Sequence, residues 1–234
     1  MTSTQNNLSS QNLSTKERII ETAGEIFGNR GFKAATIRTI ARAAKVNVAA
    51  INYHFGDKET LYRTVLKSIF SQGFETFPPV GPLSPGQDPE KQLQRFIRDM
   101  FYRLSSQKGW GGYSGRGKFI AREFVEPTHA FEDVLETYIK PHRDTLLSIL
   151  AGLCNTVPDD PRLKPCAVST LGQCVYYAFA APVIKRVIPE CAPTQENLDQ
   201  LAYGVYLFSL GGIRQLAGAL SEQPPGSVPG KEDL

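Results

Sequence analysis

The sequence predicts an all-α fold of about nine helices. Apolar residues recur every three or four positions over most of the chain, capping residues precede several of these segments, and little of the chain alternates with the period of a half-buried strand. The chain has 234 residues, of which 41% are hydrophobic. This length and composition are typical of a folded chain with a substantial core.

The two ends of the chain are predicted to be disordered tails. Residues 1–13 are polar and of low complexity, and residues 221–234 are rich in Pro and Gly. The first residues also lack the basic start and apolar core of a signal peptide. The most apolar run, residues 174–184, is too short to cross a bilayer. We therefore expect a cytoplasmic protein that makes no membrane contact.

Three helices are predicted over residues 14–60. Ser14 and Glu17 have the spacing of a capping box, and apolar residues then recur at helical intervals as far as Gly31. Thr36 can cap a short second helix.

The second and third helices form a predicted helix-turn-helix. The turn is residues 45–47, and the third helix runs from Val48 to Phe55, where Gly56 ends it. In such a pair the second helix can lie in the major groove of DNA while the first crosses over it. Residues 14–60 are therefore predicted to be a DNA-binding domain.

The third helix has two predicted faces. The face expected to pack against neighbouring helices consists of Val48, Ile51 and Phe55. The face expected to approach DNA consists of Ala49, Ala50 and Tyr53, flanked by Asn52 and His54. Small side chains suit a close approach to base edges, and alanine methyls can contact thymine methyls. Positive charge is then expected from the neighbouring residues Arg38, Lys45 and Lys58.

The positive charge of the chain is concentrated around the helix-turn-helix. The whole chain has a net charge of +3, whereas residues 16–67 alone hold ten cations and five anions. A locally basic segment indicates contact with a polyanion. A solvated surface of mixed charge explains the same distribution.

Only further helices are predicted after the helix-turn-helix. Asp57 can cap a fourth helix, which runs to a break rich in Pro and Gly at residues 77–89. Five more helices are predicted at about residues 90–106, 118–126, 128–152, 163–188 and 194–218. Pro141 is expected to kink the third of these five, and residues 109–117 are rich enough in glycine to predict a loop.

The sequence contains no recognisable catalytic, cofactor or metal motif. The cysteines form no Cys-x-x-Cys pair and are expected to be buried free thiols rather than disulfides: Cys154, Cys166, Cys174 and Cys191. No glycine-rich phosphate loop follows a strand, and neither a nucleophile elbow nor a paired metal motif is present. We therefore expect a protein that is not an enzyme and that uses no cofactor.

Two segments resemble a known family. Residues 35–62, ATIRTIARAAKVNVAAINYHFGDKETLY, look like the helix-turn-helix signature of TetR/AcrR-family transcriptional regulators. Residues 121–150, AREFVEPTHAFEDVLETYIKPHRDTLLSIL, are similar to the CecR-type C-terminal domain within that family. The resemblance implies that residues 61–220 form a helical ligand-binding and dimerisation domain.

The resemblance also implies which residues contact DNA. The positions that match family contacts are Thr36, Arg38, Lys45, Val48, Ala49, Ala50, Asn52, Tyr53, His54 and Lys58. Lys45 stands where the family usually has a turn glycine, so the turn must tolerate a side chain. The first residues of the third helix carry no hydrogen-bonding side chain, which shifts base reading towards Arg38 and Asn52.

A ligand cavity and a dimer interface are further implications. The ligand candidates are Phe96, Met100, Phe101, Phe119, Arg122, Glu123, Tyr138, Tyr176 and Tyr177, with the loop around Trp110 as a candidate gate. Taken singly, each aromatic residue is more often part of a core than of a pocket. A solvent-facing ion pair explains Arg122 and Glu123 equally well. The homodimer interface is expected at about residues 163–188 and 194–218; a monomeric core is the alternative.

The resemblance predicts a sequence-specific transcriptional regulator. We expect a homodimeric repressor that binds a pseudo-palindromic operator in double-stranded DNA and is released by a small-molecule effector. One alternative is an activator, or a regulator without an effector, of the same family. The other is a cytosolic small-molecule-binding module whose helix-turn-helix reads no specific DNA.

Overall fold

A computed structural model describes residues 14–112 and 114–222, which form helices and connecting turns. No strand occurs in this part of the chain, so the predicted all-α class is confirmed. The predicted tails at residues 1–13 and 221–234 lie outside the described residues, except that 221 and 222 belong to the last helix.

Eleven α-helical segments occur in the described residues, against about nine predicted. The first six are α1 Thr15–Ala34, α2 Ile37–Ala43, α3 Val48–Phe55, α4 Lys58–Thr76, α5 Pro89–Ser105 and α6 Gly115–Val125. The others are α7 Glu132–Val134, α8 Lys140–Cys154, α9 Leu163–Phe179, α10 Ala181–Val187 and α11 Leu198–Glu222. Short 3-10 turns span His129–Phe131 and Pro189–Cys191, and a π-helical turn spans Leu135–Ile139.

The chain forms two compact units. The first is made by the described residues of Met1–Gln72 and Tyr113–Leu135, and the second by those of Gly73–Gly112 and Glu136–Leu234. The units divide the chain differently from the predicted boundary at residue 60. Most of α4 and the whole of α6 pack with the helix-turn-helix.

The first unit is built on α1, which begins at the predicted capping box. The backbone N–H of Glu17 donates to Ser14 Oγ (3.2 Å), and the backbone N–H of Ser14 donates to the Glu17 carboxylate (2.8 Å). The helix is interrupted at Gly31, whose φ is +75°. Its buried face meets α2, α4 and α6, and both Ile19 and Phe27 on this face are fully buried.

The α1–α6 crossing requires glycine on α1. A Cβ atom placed on Gly28 would lie 2.7 Å from the carbonyl carbon of Gly115 and nearer still to its oxygen. The two backbones therefore approach too closely for any side chain at residue 28. The same crossing explains why the predicted loop at 109–117 is wrong for its last three residues: α6 begins at Gly115, where the small residue serves helix packing.

The second unit has α5, α8, α9 and α11 around one core. The apolar residues that recur at helical spacing along α5 are all buried: Leu93, Phe96, Ile97, Met100, Phe101 and Leu104. Two exposed ion pairs connect α5 with α11, Arg98 with Asp199 (2.8 Å) and Glu90 with Arg214 (2.6 Å). Trp110, in the loop after α5, is only 3% exposed and therefore also packs in this unit.

Two predicted helices are broken near prolines. The predicted helix at 128–152 contains the π-helical turn immediately before α8, because Pro141 lacks an N–H and its ring opposes a regular α-turn. The predicted helix at 163–188 divides into α9 and α10, which are bent by 77° next to Pro182.

No single helix of residues 14–112 and 114–222 has the length and apolar content to cross a membrane. The bent pair of α9 and α10 passes that test jointly, by length and composition alone.

The four cysteines are free in the structure, as predicted. Cys154 and Cys174 are buried, whereas Cys166 and Cys191 are half-buried.

Candidate nucleic-acid interface

Side-chain caps fix both helices of the helix-turn-helix. Thr36 Oγ1 accepts the backbone N–H of Thr39 at 3.1 Å, and Asn47 Oδ1 accepts that of Ala50 at 2.7 Å. These bonds satisfy N–H groups that a helix start leaves unpaired. The turn between the helices therefore has defined ends, as the sequence predicts.

Lys45 in this turn has a left-handed backbone. Its φ is +55°, and it is one of two non-glycine residues with positive φ in the described residues. The turn accepts the lysine at the expense of backbone strain, because the left-handed region brings Cβ close to the following carbonyl. The side chain is exposed.

The buried face of α3 is smaller than predicted. Ile51 and Phe55 are 1% and 5% exposed, as expected, but Val48 is 38% exposed, so the prediction that Val48 is buried is wrong. Val48 is the first residue of α3. Burial of this helix begins one turn later, at Ile51.

The outer face of α3 is exposed and uncharged. Tyr53 is 86% exposed, Ala49, Asn52 and His54 are also exposed, and Ala50 is half-buried. The rings of Tyr53 and His54 meet edge to face with centroids 5.2 Å apart. This face combines small residues with the hydrogen-bonding groups of Asn52, Tyr53 and His54.

The sequence around α3 contains cations without an acidic partner. Residues 26–56 contain no Asp or Glu and five cations, Arg30, Lys33, Arg38, Arg42 and Lys45, all of them exposed. None of the five forms an ion pair within the described part of the chain. Two cations of α4, by contrast, are paired: Arg63 with Glu59 (3.5 Å) and Lys67 with Asp133 (2.7 Å). Unpaired cations can neutralise phosphates without first losing an acidic partner.

Arg42 is a candidate that the residue-by-residue reading of the sequence missed. It lies on α2 and is exposed like Arg38. The absence of acidic residues from 26–56 was the signal that could have identified Arg42 in the sequence.

Lys58 has a different environment from the other predicted DNA contacts. Its ammonium donates to the carbonyl oxygens of Phe32 (3.0 Å) and Ala35 (3.2 Å) and lies 4.2 Å from the Phe32 ring centre. It therefore satisfies carbonyls at the end of α1, which the helix leaves unpaired. One N–H of the ammonium remains for a phosphate, so the predicted contact stays a prediction.

Three of the predicted ligand residues belong to the first unit. Glu123 is 1% exposed and accepts hydrogen bonds from the Tyr62 hydroxyl and from Thr128 N and Oγ1 (both 3.0 Å). Burial and the Glu123 carboxylate raise the pKa of Tyr62. Phe119 packs edge to face on Tyr62 with centroids 4.6 Å apart. The Glu123 carboxylate is thus occupied by donors that connect α6 with α4.

Arg122 lines a cavity of about 440 Å³ in the same unit. Its Nε donates to the carbonyl oxygen of Gly28 at 3.2 Å. The alternative considered for these residues, an ion pair between Arg122 and Glu123, does not occur, since the two side chains bond to different partners.

The other predicted ligand residues belong to two regions of the second unit. Phe96, Met100 and Tyr138 lie around two residues that sequence reasoning missed, Arg103 and His142. Arg103 falls on the apolar stripe of α5, three residues after Met100, and this position was the signal that could have identified it.

Tyr176 and Tyr177 lie instead at the α9–α10 bend. They line an apolar cavity of about 500 Å³ with Gly172, Gln173, Val183, Ile184, Val187, Ile188 and Cys191. Tyr177 also packs on Phe101, with ring centroids 5.4 Å apart. The structure therefore divides the predicted ligand residues among three places.

The second unit exposes an apolar face on α9 and α11. The exposed large residues are Val168 (71%), Tyr176 (58%), Tyr203 (50%), Leu207 (50%) and Phe208 (75%). Residues 165–184 and 200–213 contain no charged side chain. Exposed apolar patches without charge are typical of protein–protein interfaces.

Two family models match the chain. Residues 19–65 match the model for bacterial regulatory proteins of the tetR family. Residues 89–213 match the model for the C-terminal domain of the HTH-type transcriptional dual regulator CecR. The second match covers more than half of the 234 residues.

Two individual transcriptional regulators are also similar to this chain in sequence. The chain is 33% identical over 156 residues to the HTH-type transcriptional dual regulator CecR of Shigella flexneri, covering 63% of this chain and 68% of that protein. It is 28% identical over 127 residues to the probable HTH-type transcriptional regulator YttP of Bacillus subtilis strain 168, covering 54% of this chain and 58% of that protein.

The fold also matches a solved structure, that of AibR in complex with isovaleryl coenzyme A and operator DNA. The TM-score is 0.58 at 18% sequence identity, and the match covers 83% of this chain and 97% of that chain. At this identity the comparison shows a shared fold.

Proposed function

The chain belongs to the tetR family of bacterial transcriptional regulators, with a CecR-type C-terminal domain, and we propose that it is a homodimeric repressor released from its operator by a small molecule. Membership of this family confirms the resemblance noted at residues 35–62 and 121–150. The observation that carries the proposal is the exposed, uncharged outer face of α3, together with exposed, unpaired cations on the neighbouring helix α2 and in the turn between them. The proposal assigns the chain no catalytic step and places it in the cytoplasm, with the DNA.

DNA reading is divided between two kinds of residue. The outer face of α3 offers the amide of Asn52 and the alanine methyls to base edges, which carry the sequence information. Arg38, Arg42 and Lys45 supply charge to phosphates, and these contacts position the helix. Arg38 has a second role, because a bidentate contact between arginine and guanine provides about 1–3 kcal/mol of discrimination.

The apolar face of α9 and α11 supports the homodimer. Two helices with uncharged stretches, at residues 165–179 and 200–213, and with exposed aromatic and aliphatic side chains need a partner of the same character. A second copy provides one by two-fold symmetry, since each copy offers the same face. Such a dimer presents two α3 helices to one DNA duplex, about 34–36 Å apart, and reads a pseudo-palindrome.

Two observations support regulation by a ligand. The second unit contains the aromatic ligand candidates around Arg103 and His142, and AibR, which shares the fold, was solved with a coenzyme A thioester and operator DNA. In the proposed mechanism the ligand moves α4, the helix that holds Glu123 of α6 through Tyr62. An effect on DNA affinity of about 5- to 150-fold needs a coupling free energy of about 1–3 kcal/mol. Activation of transcription is the second candidate function, because the related protein CecR is named a dual regulator.

DNA binding is tested with a duplex enriched from a random-sequence pool and a scrambled duplex of the same composition. We expect the enriched duplex to bind far more tightly at physiological salt, because base contacts add to the phosphate contacts. Equal affinity for both duplexes would contradict the proposal and would favour a ligand-binding module without sequence readout.

Two arginine variants separate the roles on α2. Arg42→Ala should weaken binding to both duplexes and reduce the salt dependence by about one counterion. Arg38→Ala should reduce the preference for the enriched duplex at one base pair. The matched control is Lys108→Ala, which removes an exposed cation of the second unit and should change neither quantity.

A further inference from the structure

Arg103 is a buried cation without an acidic partner. Its side chain is fully buried on the inner face of α5. The guanidinium donates from Nε and Nη2 to the carbonyl oxygen of Phe77, at 3.3 and 2.8 Å, and from Nη1 to the sulfur of Met100 at 3.4 Å. Its nearest acidic influence is Asp99, which is paired with Arg95 at 3.6 Å. Within the described residues Arg103 has no ion pair, and a buried charge without a counter-ion is unfavourable.

His142 lies next to this cation and has an unused hydrogen-bond donor. Its Nε2 is 3.2 Å from Arg103 Nη1. Burial and the charge of Arg103 lower the pKa of His142 to about 3, so the ring is neutral at neutral pH. Because Nε2 accepts a hydrogen bond from Arg103, the proton is on Nδ1. Nδ1 is buried and has no hydrogen-bond partner.

Arg103 remains charged in this environment. Burial lowers its pKa to about 10, and the charge of Asp99 opposes that change. The cluster therefore contains, side by side, a permanent positive charge and an unsatisfied neutral N–H.

Aromatic rings enclose the pair. Phe96 stacks on the His142 ring at 4.3 Å, and Phe74 lies edge-on to it at 5.7 Å and under the Arg103 guanidinium at 4.2 Å. Tyr138 packs on Phe74 at 5.0 Å. Phe74 and Tyr138 are only half-buried, so they form the outer wall of the cluster. Tyr138 belongs to the π-helical turn, a feature that often marks functional sites.

We propose that Arg103 and His142 bind the carboxylate of the effector, and that the effector is a monocarboxylate with a flat apolar body. The inference rests on the proposed ligand-responsive function and names the chemical class of its ligand. The Nδ1–H of His142 donates to a carboxylate oxygen, while the charge of Arg103, on the other side of the imidazole ring, attracts the anion. A single negative charge suits a site with a single cation and apolar walls, because a dianion such as phosphate would lose more hydration. Phe74 and Tyr138 move aside to admit the ligand and contact its apolar body.

A purely structural role for Arg103 explains less. Capping the Phe77 carbonyl accounts for two of its N–H groups. It accounts neither for the missing counter-ion nor for the unsatisfied Nδ1 of His142. A carboxylate provides for both.

The first test compares acids with amides of the same shape. Benzoate, trans-cinnamate and phenylpropionate, each beside its primary amide, are titrated into the full chain by calorimetry. At least one acid should bind about 10- to 100-fold more tightly than its amide, because hydrogen bonds to a charged group are worth that much in affinity. If no acid binds, or if acid and amide bind equally, the proposal is overturned.

The second test uses variants that keep volume and remove the donors. Arg103→Met and His142→Phe should each weaken acid binding by about 10-fold or more while leaving amide binding unchanged. Arg98→Met, which removes an exposed arginine of the same helix, is the control and should bind the acid normally. If Arg103→Met does not fold, His142→Phe and the amide comparison still decide. Normal acid binding by His142→Phe would overturn the assignment.

DNA binding by the same proteins separates this inference from the proposed function. If the chain reads its enriched duplex but binds no acid, the inference fails and the regulator remains. If the chain binds acids through Arg103 but shows no preference for the enriched duplex, the carboxylate site is supported and the proposed regulatory function is contradicted. Release of the enriched duplex by the acid, lost in His142→Phe, is the result expected when both hold.

Discussion

Replacing Lys45 with glycine should affect stability and DNA affinity in opposite directions. Lys45 has a φ of +55°, which costs a non-glycine residue roughly 1–2 kcal/mol. Glycine removes this strain, but its greater conformational freedom in the unfolded chain lowers the stability of the folded state by roughly 0.5–1 kcal/mol. The free energy of unfolding should therefore rise by about 0.5–1 kcal/mol in urea titrations.

The same change removes one proposed phosphate contact. Losing one phosphate contact reduces the slope of log affinity against log salt by about 0.9, which corresponds to about fivefold weaker binding near 0.15 M salt. Lys45→Ala is the matched control, because it removes the charge but keeps a Cβ in the left-handed region. It should lose the same DNA affinity as Lys45→Gly and gain no stability.

Either of two results would refute this reasoning. If Lys45→Gly and Lys45→Ala were equally stable, the left-handed turn would not be a source of strain. If both variants kept the salt slope of the parent chain, Lys45 would not contact phosphate.

Three further predictions concern packing, assembly and pH. Gly28→Ala should lower the free energy of unfolding by about 1–3 kcal/mol, because the added methyl group meets the backbone of α6. The control is Gly24→Ala on the same helix, where the methyl group finds ordinary contact distances and should not destabilise the chain. Equal losses of stability in the two variants would contradict the close crossing of α1 and α6. Phe208→Lys should convert the dimer to a monomer in light-scattering measurements, and Val125→Lys, at an exposed apolar residue of the first unit, should not. The native pKa of His142, about 3, lies below the usual value of 6.5, so the unfolded state binds more protons between these values and stability falls as pH falls. Between about pH 7.5 and about pH 5 the free energy of unfolding of the parent chain should fall by about 2 kcal/mol more than that of His142→Phe. If urea titrations show the same pH dependence of stability for both proteins, His142 is not a neutral buried histidine.

The helix-turn-helix could be predicted because its signals are local. The predicted caps at Ser14 and Thr36 and the stop at Gly56 act within one helical turn, and all occur in the structure. Periodicity also identified the inner face of α5. Such features depend on neighbours in sequence, so the sequence alone is sufficient to find them.

Features that depend on tertiary contacts were missed. Glycine-rich sequence predicted a loop where α6 begins, because only the packed structure shows that Gly115 crosses Gly28. Val48 fits the buried periodicity of α3 but lies outside the part of the helix that the core covers. The pairing of Arg103 with His142 joins residues 39 positions apart and had no local signal beyond a cation on an apolar stripe.

The ligand residues illustrate the same limit. Arg122 and Glu123 are adjacent and suggested an ion pair, but Glu123 accepts hydrogen bonds from Tyr62 and Thr128, and Arg122 donates to Gly28. Which partner a charged side chain finds depends on the helices packed around it.

The most direct test of the account is the sequence of the DNA that the chain selects. The purified protein is incubated with random duplexes, and the bound fraction is amplified and sequenced over several rounds. A symmetric dimer with one α3 per half-site should enrich an inverted repeat whose half-site centres are about 10–10.5 base pairs, or a multiple of that, apart. Enrichment of a single unrepeated site, or of no sequence, would contradict the central claim that two copies of α3 read an operator together.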